Sequence, residues 1–141
     1  MASELKVDKF TGVTTAGSIA VTGEGNSTTT SLQQGLCKAW VHFDATPSTP
    51  TVEESFNTAS ITDDATGNHR VNFTNSFGNV NYINIGCTAG DGSTNGDHSF
   101  VPYSDGTGGT TSQSMQLRPS KHEGTRVDCK SVYHMSNGDL A

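Results

Sequence analysis

Apolar side chains are scarce in this chain. They make up 31% of its 141 residues, and aromatics make up 7%. Counting glycine raises the apolar share only to about 42%, below the roughly 45–50% of an ordinary globular domain. Such a chain buries a thin core, and thin cores are commonly completed by neighbouring subunits. Charge is also sparse. Only 16% of residues are charged, and the net charge is −6. The eight lysines and arginines are scattered, with no two adjacent, so the chain offers no basic patch for a phosphate backbone and nucleic acid is not an expected partner. No apolar run approaches the 18 residues of a membrane-crossing helix, so membrane insertion is not expected. Met1 to Phe10 carries Glu4, Lys6, Asp8 and Lys9, which is unlike a secretory leader.

Sites for chemistry are equally sparse. Cys37, Cys87 and Cys129 are an odd set without a CxxC pair, and reduced thiols are the expected state. The five histidines, His42, His69, His98, His122 and His134, show no HxH or HxxxH spacing. Strand-borne His42 and His134 could meet only across a symmetry axis. There is no GxSxG elbow, and no sequence context marks Cys37 or Cys129 as an activated thiol. Adjacent carboxylates in Glu53-Glu54 and Asp63-Asp64 diverge in extended chain, and Asp63-Asp64 reads as turn capping. Asp91 to Asp97 echoes the start of a calcium loop, but its twelfth position is Pro102 in place of a bidentate Glu. Asn26-Ser27-Thr28 and Asn72-Phe73-Thr74 fit the glycosylation pattern but carry little weight without a leader. No catalytic residue, metal or cofactor is expected.

What the chain does have is Gly, Ser, Thr and Asn, together 62 residues. With this composition the period-2 alternation of strands recurs, and no helical stripe is convincing. Leu5 and Val7, then Ile19 and Val21, alternate with polar or small residues in two very short strands. Residues 1–34 therefore read as an extended arm for docking or oligomerisation, with Leu5, Val7, Ile19 and Val21 as its assembly contacts. Ser27 to Ser31 reads as a solvated connector.

From residue 35 to 141 the pattern predicts an antiparallel β-sandwich, jelly-roll-like, of about seven strands separated by turns. Its segments are 38–44, 52–61, 70–74, 82–87, 99–103, 112–117 and 126–135. Trp40, Phe43, Val71, Phe73, Ile83 and Ile85 are the expected core anchors. Asp63 to Asn68 is strong turn chemistry, and Pro47 and Pro50 mark a loop. Tyr82, Tyr103, Tyr133 and Trp40 are candidates for a sugar-stacking platform, with core packing as the plainer alternative. Asp91, Asn95, Asp97 and Tyr103 form a candidate exposed recognition loop.

The wording of the chain resembles a family. Ser3 to Asp8 and then Thr15 to Gly25 are similar to the opening of tail-fibre-like virion proteins of marine, cyanophage-type tailed phages. Leu32-Gln33-Gln34-Gly35-Leu36-Cys37-Lys38-Ala39-Trp40-Val41-His42-Phe43 resembles their NLQQGLAKAWVNF stretch. Glu54 to Asn57, Ile61 to Asp63, Thr66 to Phe73 and Asn81-Tyr82 resemble their DSFNVSSLTDNGTGDYTVNF and NANY phrases. The resemblance spans about residues 3–85. Two departures stand out: Ala45 to Pro50 replaces a Gly-Thr-Gly turn, and Cys37 replaces the usual alanine.

The resemblance implies a non-enzymatic, all-β virion component assembled in the host cytoplasm and carried on the tail or capsid surface. Implied partners are other virion proteins, the chain itself as a homotrimer, and a host-surface glycan or protein. The arm would dock on the particle, while loops 45–51, 88–98 and 104–111 face outward and aid host attachment. A capsid decoration protein is the alternative. A polysaccharide depolymerase is a remote one, since the chain is short for the larger β-helical bodies such enzymes use.

Overall fold

The computed structural model describes residues 4–12, 19–23, 28–89, 98–103, 114–121 and 126–140; for 33–34, 98–103 and 114–121 the backbone alone is described. The chain divides into two compact units, Met1–Leu36 and Cys37–Ala141.

In the N-terminal unit, β1 (Ala20–Thr22) pairs antiparallel with β2 (Thr29–Ser31), and a four-residue helical turn α1 (Leu32–Gly35) follows. The hairpin is closed by Gly23 N–H donating to the Thr28 carbonyl at 2.9 Å and Leu32 N–H to the Ile19 carbonyl at 2.8 Å. Two expectations are corrected here. Residues 4–12 contain no strand, and Leu5 is 76% exposed; among the described residues none pairs with Leu5 or Val7 in a ladder. The hydroxyl run is not all connector: Thr29 to Ser31 supplies the β-branched partner that Val21 needs, with Val21 opposite Thr30.

The second unit is an all-β antiparallel sandwich. Its strands are β3 (Ala39–Asp44), β4 (Thr51–Phe56), β5 (Thr58–Ala65), β6 (Asn68–Phe73), β7 (Ile83–Ala89), β8 (His98–Tyr103), β9 (Ser114–Lys121) and β10 (Ser131–Asn137). They form two four-stranded sheets, β4-β3-β10-β7 and β5-β6-β9-β8. Hairpins β3–β4, β5–β6 and β8–β9 each stay within one sheet, and β10 returns beside β3. The two sheets make the expected β-sandwich, and their strand order does not by itself establish the jelly-roll connectivity.

The expected single strand from Val52 to Ile61 is two strands in different sheets. The break is Asn57, the one non-glycine residue with positive φ among those described, at 54°. Asparagine tolerates this region because its short amide bonds locally. Here Asn57 Nδ2 donates to the carbonyls of Lys38 (3.0 Å) and Asn75 (3.1 Å), and its Oδ1 accepts from Asn75 N–H at 2.7 Å. The corner thus ties both sheets together.

The core is one cluster fed by both sheets: Ala39, Val41 and Phe43 from β3, Val71 and Phe73 from β6, and Val132 from β10, with Phe77, Tyr82 and Cys129 from connecting segments. Phe77 stacks on Tyr82 at 4.2 Å and meets the edge of Phe73 at 5.0 Å. Gly78 N–H donates to the Asp139 carbonyl at 2.8 Å and holds the Phe77 segment against the chain's last described residues. At the β5–β6 turn Gly67 has φ +59°, and a Cβ there would lie 2.5 Å from Val127 N. Glycine is required at this point by conformation and by space together.

Candidate functional site

Three of the expected core anchors face the other way. In β3 the buried positions are Ala39, Val41 and Phe43, which places Trp40 on the opposite face, only part-buried. In β7 the exposed positions are Ile83, Ile85, Cys87 and Ala89. The inward β3 residues Ala39, Val41 and Phe43 join Val71 and Phe73 of β6 in the core.

The register then defines two rows across the outer face of β4-β3-β10-β7. Phe56 lies opposite Trp40, Trp40 opposite Met135, and Met135 opposite Ile85. In the next row Glu54, His42, Tyr133 and Cys87 follow one another, while Ile83, opposite Asn137, flanks the first row on its other side next to Ile85. Ile83 is 64% exposed, Ile85 60%, Phe56 52%, and Tyr133 and Met135 42% each. The water-facing side of an antiparallel sheet is ordinarily polar. This one carries much of the large apolar material of an apolar-poor chain.

An open groove of about 520 Å³ runs over this face, lined by Trp40, His42, Glu54, Ile85, Tyr133 and Met135 among others. His42 and Tyr133 stack almost parallel, with ring centroids 4.4 Å apart. Cross-strand neighbours stand upright from a sheet, so each ring covers a face of the other. Of the sugar-platform candidates, Trp40 and Tyr133 come together here. Tyr82 is buried in the core, where desolvation raises its phenol pKa. Tyr103 lies in β8, with its side chain outside the described residues.

A second cluster lies on the inward side of β10. Ser136 Oγ donates to Asn84 Oδ1 at 2.7 Å and sits 3.0 Å from His134 Nε2, which is 3.3 Å from Asn84 Oδ1. The residue types evoke a nucleophile and base, but Ser136 is fully buried, so no substrate reaches its hydroxyl. Burial pushes the His134 imidazole down to about 3, and it is neutral around pH 7. The cluster satisfies polar groups inside the sandwich. No sequence motif announces it, because the β7–β10 register alone brings Asn84 opposite Ser136. His42 and His134 stand on opposite faces of the sheet, so the two do not converge on one symmetry axis.

A third cluster surrounds the fully buried His69. Its Nε2 lies 3.6 Å from Asp128 Oδ1 and 3.9 Å from Asp63 Oδ1. Both distances exceed hydrogen-bond length. Desolvation lowers the His69 pKa, opposed by Asp128 and Asp63. Asp128 Oδ1 accepts Gly67 N–H at 2.7 Å, and Asp64 pairs with Arg70 at 2.9 Å. Asp63 and Asp64 are therefore β5 residues with partners across the sheet, and the turn they were expected to cap is made by Thr66 and Gly67. Among the described residues, no group of three or more His, Cys, Asp or Glu is placed to hold a metal ion. None of the three cysteines is in a disulfide.

Of the other expected positions, Phe43, Val71 and Phe73 are buried in the core. Asp91, Asn95 and Asp97 lie outside the described residues, as do 104–113. The 45–50 loop is pinned at both ends of its first turn: Ala45 N–H donates to the Cys129 carbonyl at 2.9 Å, and Thr46 Oγ1 donates to Asp44 at 2.6 Å. The hydroxyl and amide of Thr46 hold the Asp44 carboxyl below its ordinary pKa. Compared with protein-family models, curated proteins and solved structures, the chain matches none.

Proposed function

We propose that this chain is a non-enzymatic structural protein of a tailed-phage particle, a tail-fibre-like appendage that aids attachment to the host surface. The ordered phrases between residues 3 and 85 support that reading, and so does the shortage of apolar residues. The observation that carries most weight is the outer face of β4-β3-β10-β7. There a chain with few large apolar side chains leaves Phe56, Ile83, Ile85, Tyr133 and Met135 in water. Exposed apolar faces of this kind belong to proteins that work in assemblies.

In this reading the N-terminal residues 1–34 dock on the virion, and the sandwich completes itself against other copies. The connecting loops look outward toward a host glycan or protein. Imaging of purified particles with an antibody or fused tag on this chain tests it. The expected result is a few copies close to the tail. Absence from particles, or hundreds of copies on capsid lattice points, would overturn it.

A further inference from the structure

We propose that the outer face of β4-β3-β10-β7 is the surface by which copies of this chain bind one another, each copy covering the face of a neighbour. The inference rests on the assembly reading above and names the surface. Its first support is area. Taking roughly 150–250 Å² for a large side chain, the exposed fractions of Phe56, Ile83, Ile85, Tyr133 and Met135 leave on the order of 500 Å² of apolar surface per copy. Part-buried Trp40 and exposed Cys87 add to this. A standard interface takes about 800 Å² from each partner, polar rim included. One face of this size therefore supplies the apolar centre of a stable contact, with Glu54 and Asn137 available for the rim.

The second support is the chemistry of the occupant. The two central rows contain neither lysine nor arginine, and their one acidic group, Glu54, lies in the edge strand β4. Ile85, Met135 and Cys87 offer an adaptable apolar surface and no directional hydrogen bonds. A glycan needs an open ring face and several polar partners, and the Tyr133 ring already has one face against His42. Another sheet face of the same kind meets the requirement. Two such sheets pack with interdigitating apolar side chains about 10 Å apart. A second copy is the one partner that always brings the same shortage of core and the same face, so the contact is self-complementary.

The test uses the full chain in sedimentation velocity at micromolar concentration. The expected mass is twice 14.8 kDa, because a self-complementary face pairs two copies. Met135→Lys, in the middle of the first row, and Ile85→Glu are expected to weaken association at least 100-fold. Their circular dichroism should match the parent, because both side chains already face water. Val80→Glu, exposed outside this face, should leave the mass unchanged. A monomeric parent would overturn the inference, as would an oligomer indifferent to both face substitutions. Imaging on the particle is independent of either result, so loss of the interface and loss of the virion assignment can be told apart.

Discussion

Phe77→Ala should remove a large part of the stability of the Cys37–Ala141 unit. Phe77 is 1% exposed, stacks on Tyr82 at 4.2 Å and abuts Phe73 at 5.0 Å. Truncating a buried phenylalanine costs about 3–5 kcal/mol, because transfer energy is lost and a cavity remains. The two ring contacts, each worth about 0.5–1.5 kcal/mol, fall within that figure. A domain of this size holds about 5–15 kcal/mol in total. A thin core places this one toward the lower end, so the loss is about half of what is available. Each kcal/mol shifts the melting temperature of such a domain by roughly 4–8 °C, and a fall of about 12–40 °C is expected. Urea unfolding followed by the fluorescence of part-buried Trp40 reads it, and Phe77→Leu, which keeps much of the volume but neither ring contact, should lose less, about 1–3 kcal/mol. An alanine variant within about 1 kcal/mol of the parent would show that the aromatic trio does not anchor the sandwich.

The pH profile should bear the mark of His134. Its folded pKa of about 3 lies below the unfolded value near 6.5, so below pH 6.5 the unfolded chain takes up a proton that the folded chain refuses. The stability is fully present above pH 6.5 and lost as pH falls toward 3, by about 2 kcal/mol between pH 7 and 4.5. His69 shifts in the same direction and steepens the slope. Urea midpoints for the parent and His134→Gln at both pH values check this, the variant's dependence being weaker by about one proton. Asn57→Ala should cost about 2–3 kcal/mol, from an alanine held at positive φ and an emptied set of amide hydrogen bonds. Asn57→Gly should recover the conformational part only, as thermal melts of the pair will show. Deleting residues 1–34 should leave a folded sandwich with unchanged near-ultraviolet circular dichroism that no longer enters particles. Normal incorporation would rule out the arm as the docking element.

The fold class was legible because alternation survives even in an apolar-poor chain: the segments around Trp40, Val71, Ile83 and Tyr133 are all strands. Alternation gives the period of a strand but not its phase. At Trp40 and at Ile83 and Ile85 the larger side chain looks like the inward one, yet β3 buries Ala39, Val41 and Phe43. The choice depends on what the opposite sheet contributes, and that is a tertiary fact. The break at Asn57 was hidden for a related reason, since Val52 to Ile61 reads as one extended run until a single residue turns to positive φ. The candidate interface was invisible as a unit, although four of its members, Trp40, Tyr133, Ile83 and Ile85, were already singled out for other roles. Only the β4-β3-β10-β7 register places them on one surface. The Ser136–His134–Asn84 cluster left no local trace, since its members meet through pairing between β7 and β10.

The claim that copies cover one another's outer face is tested most directly by the reactivity of Cys87. It is exposed on that face, whereas Cys129 is buried and the part-buried Cys37 thiol donates to the Ala39 carbonyl at 3.2 Å. In the native protein the fast-reacting thiol should slow at least tenfold as concentration rises into the micromolar range, and Met135→Lys should abolish that protection. A Cys87 labelling rate that is independent of concentration and equal in parent and variant would contradict the account.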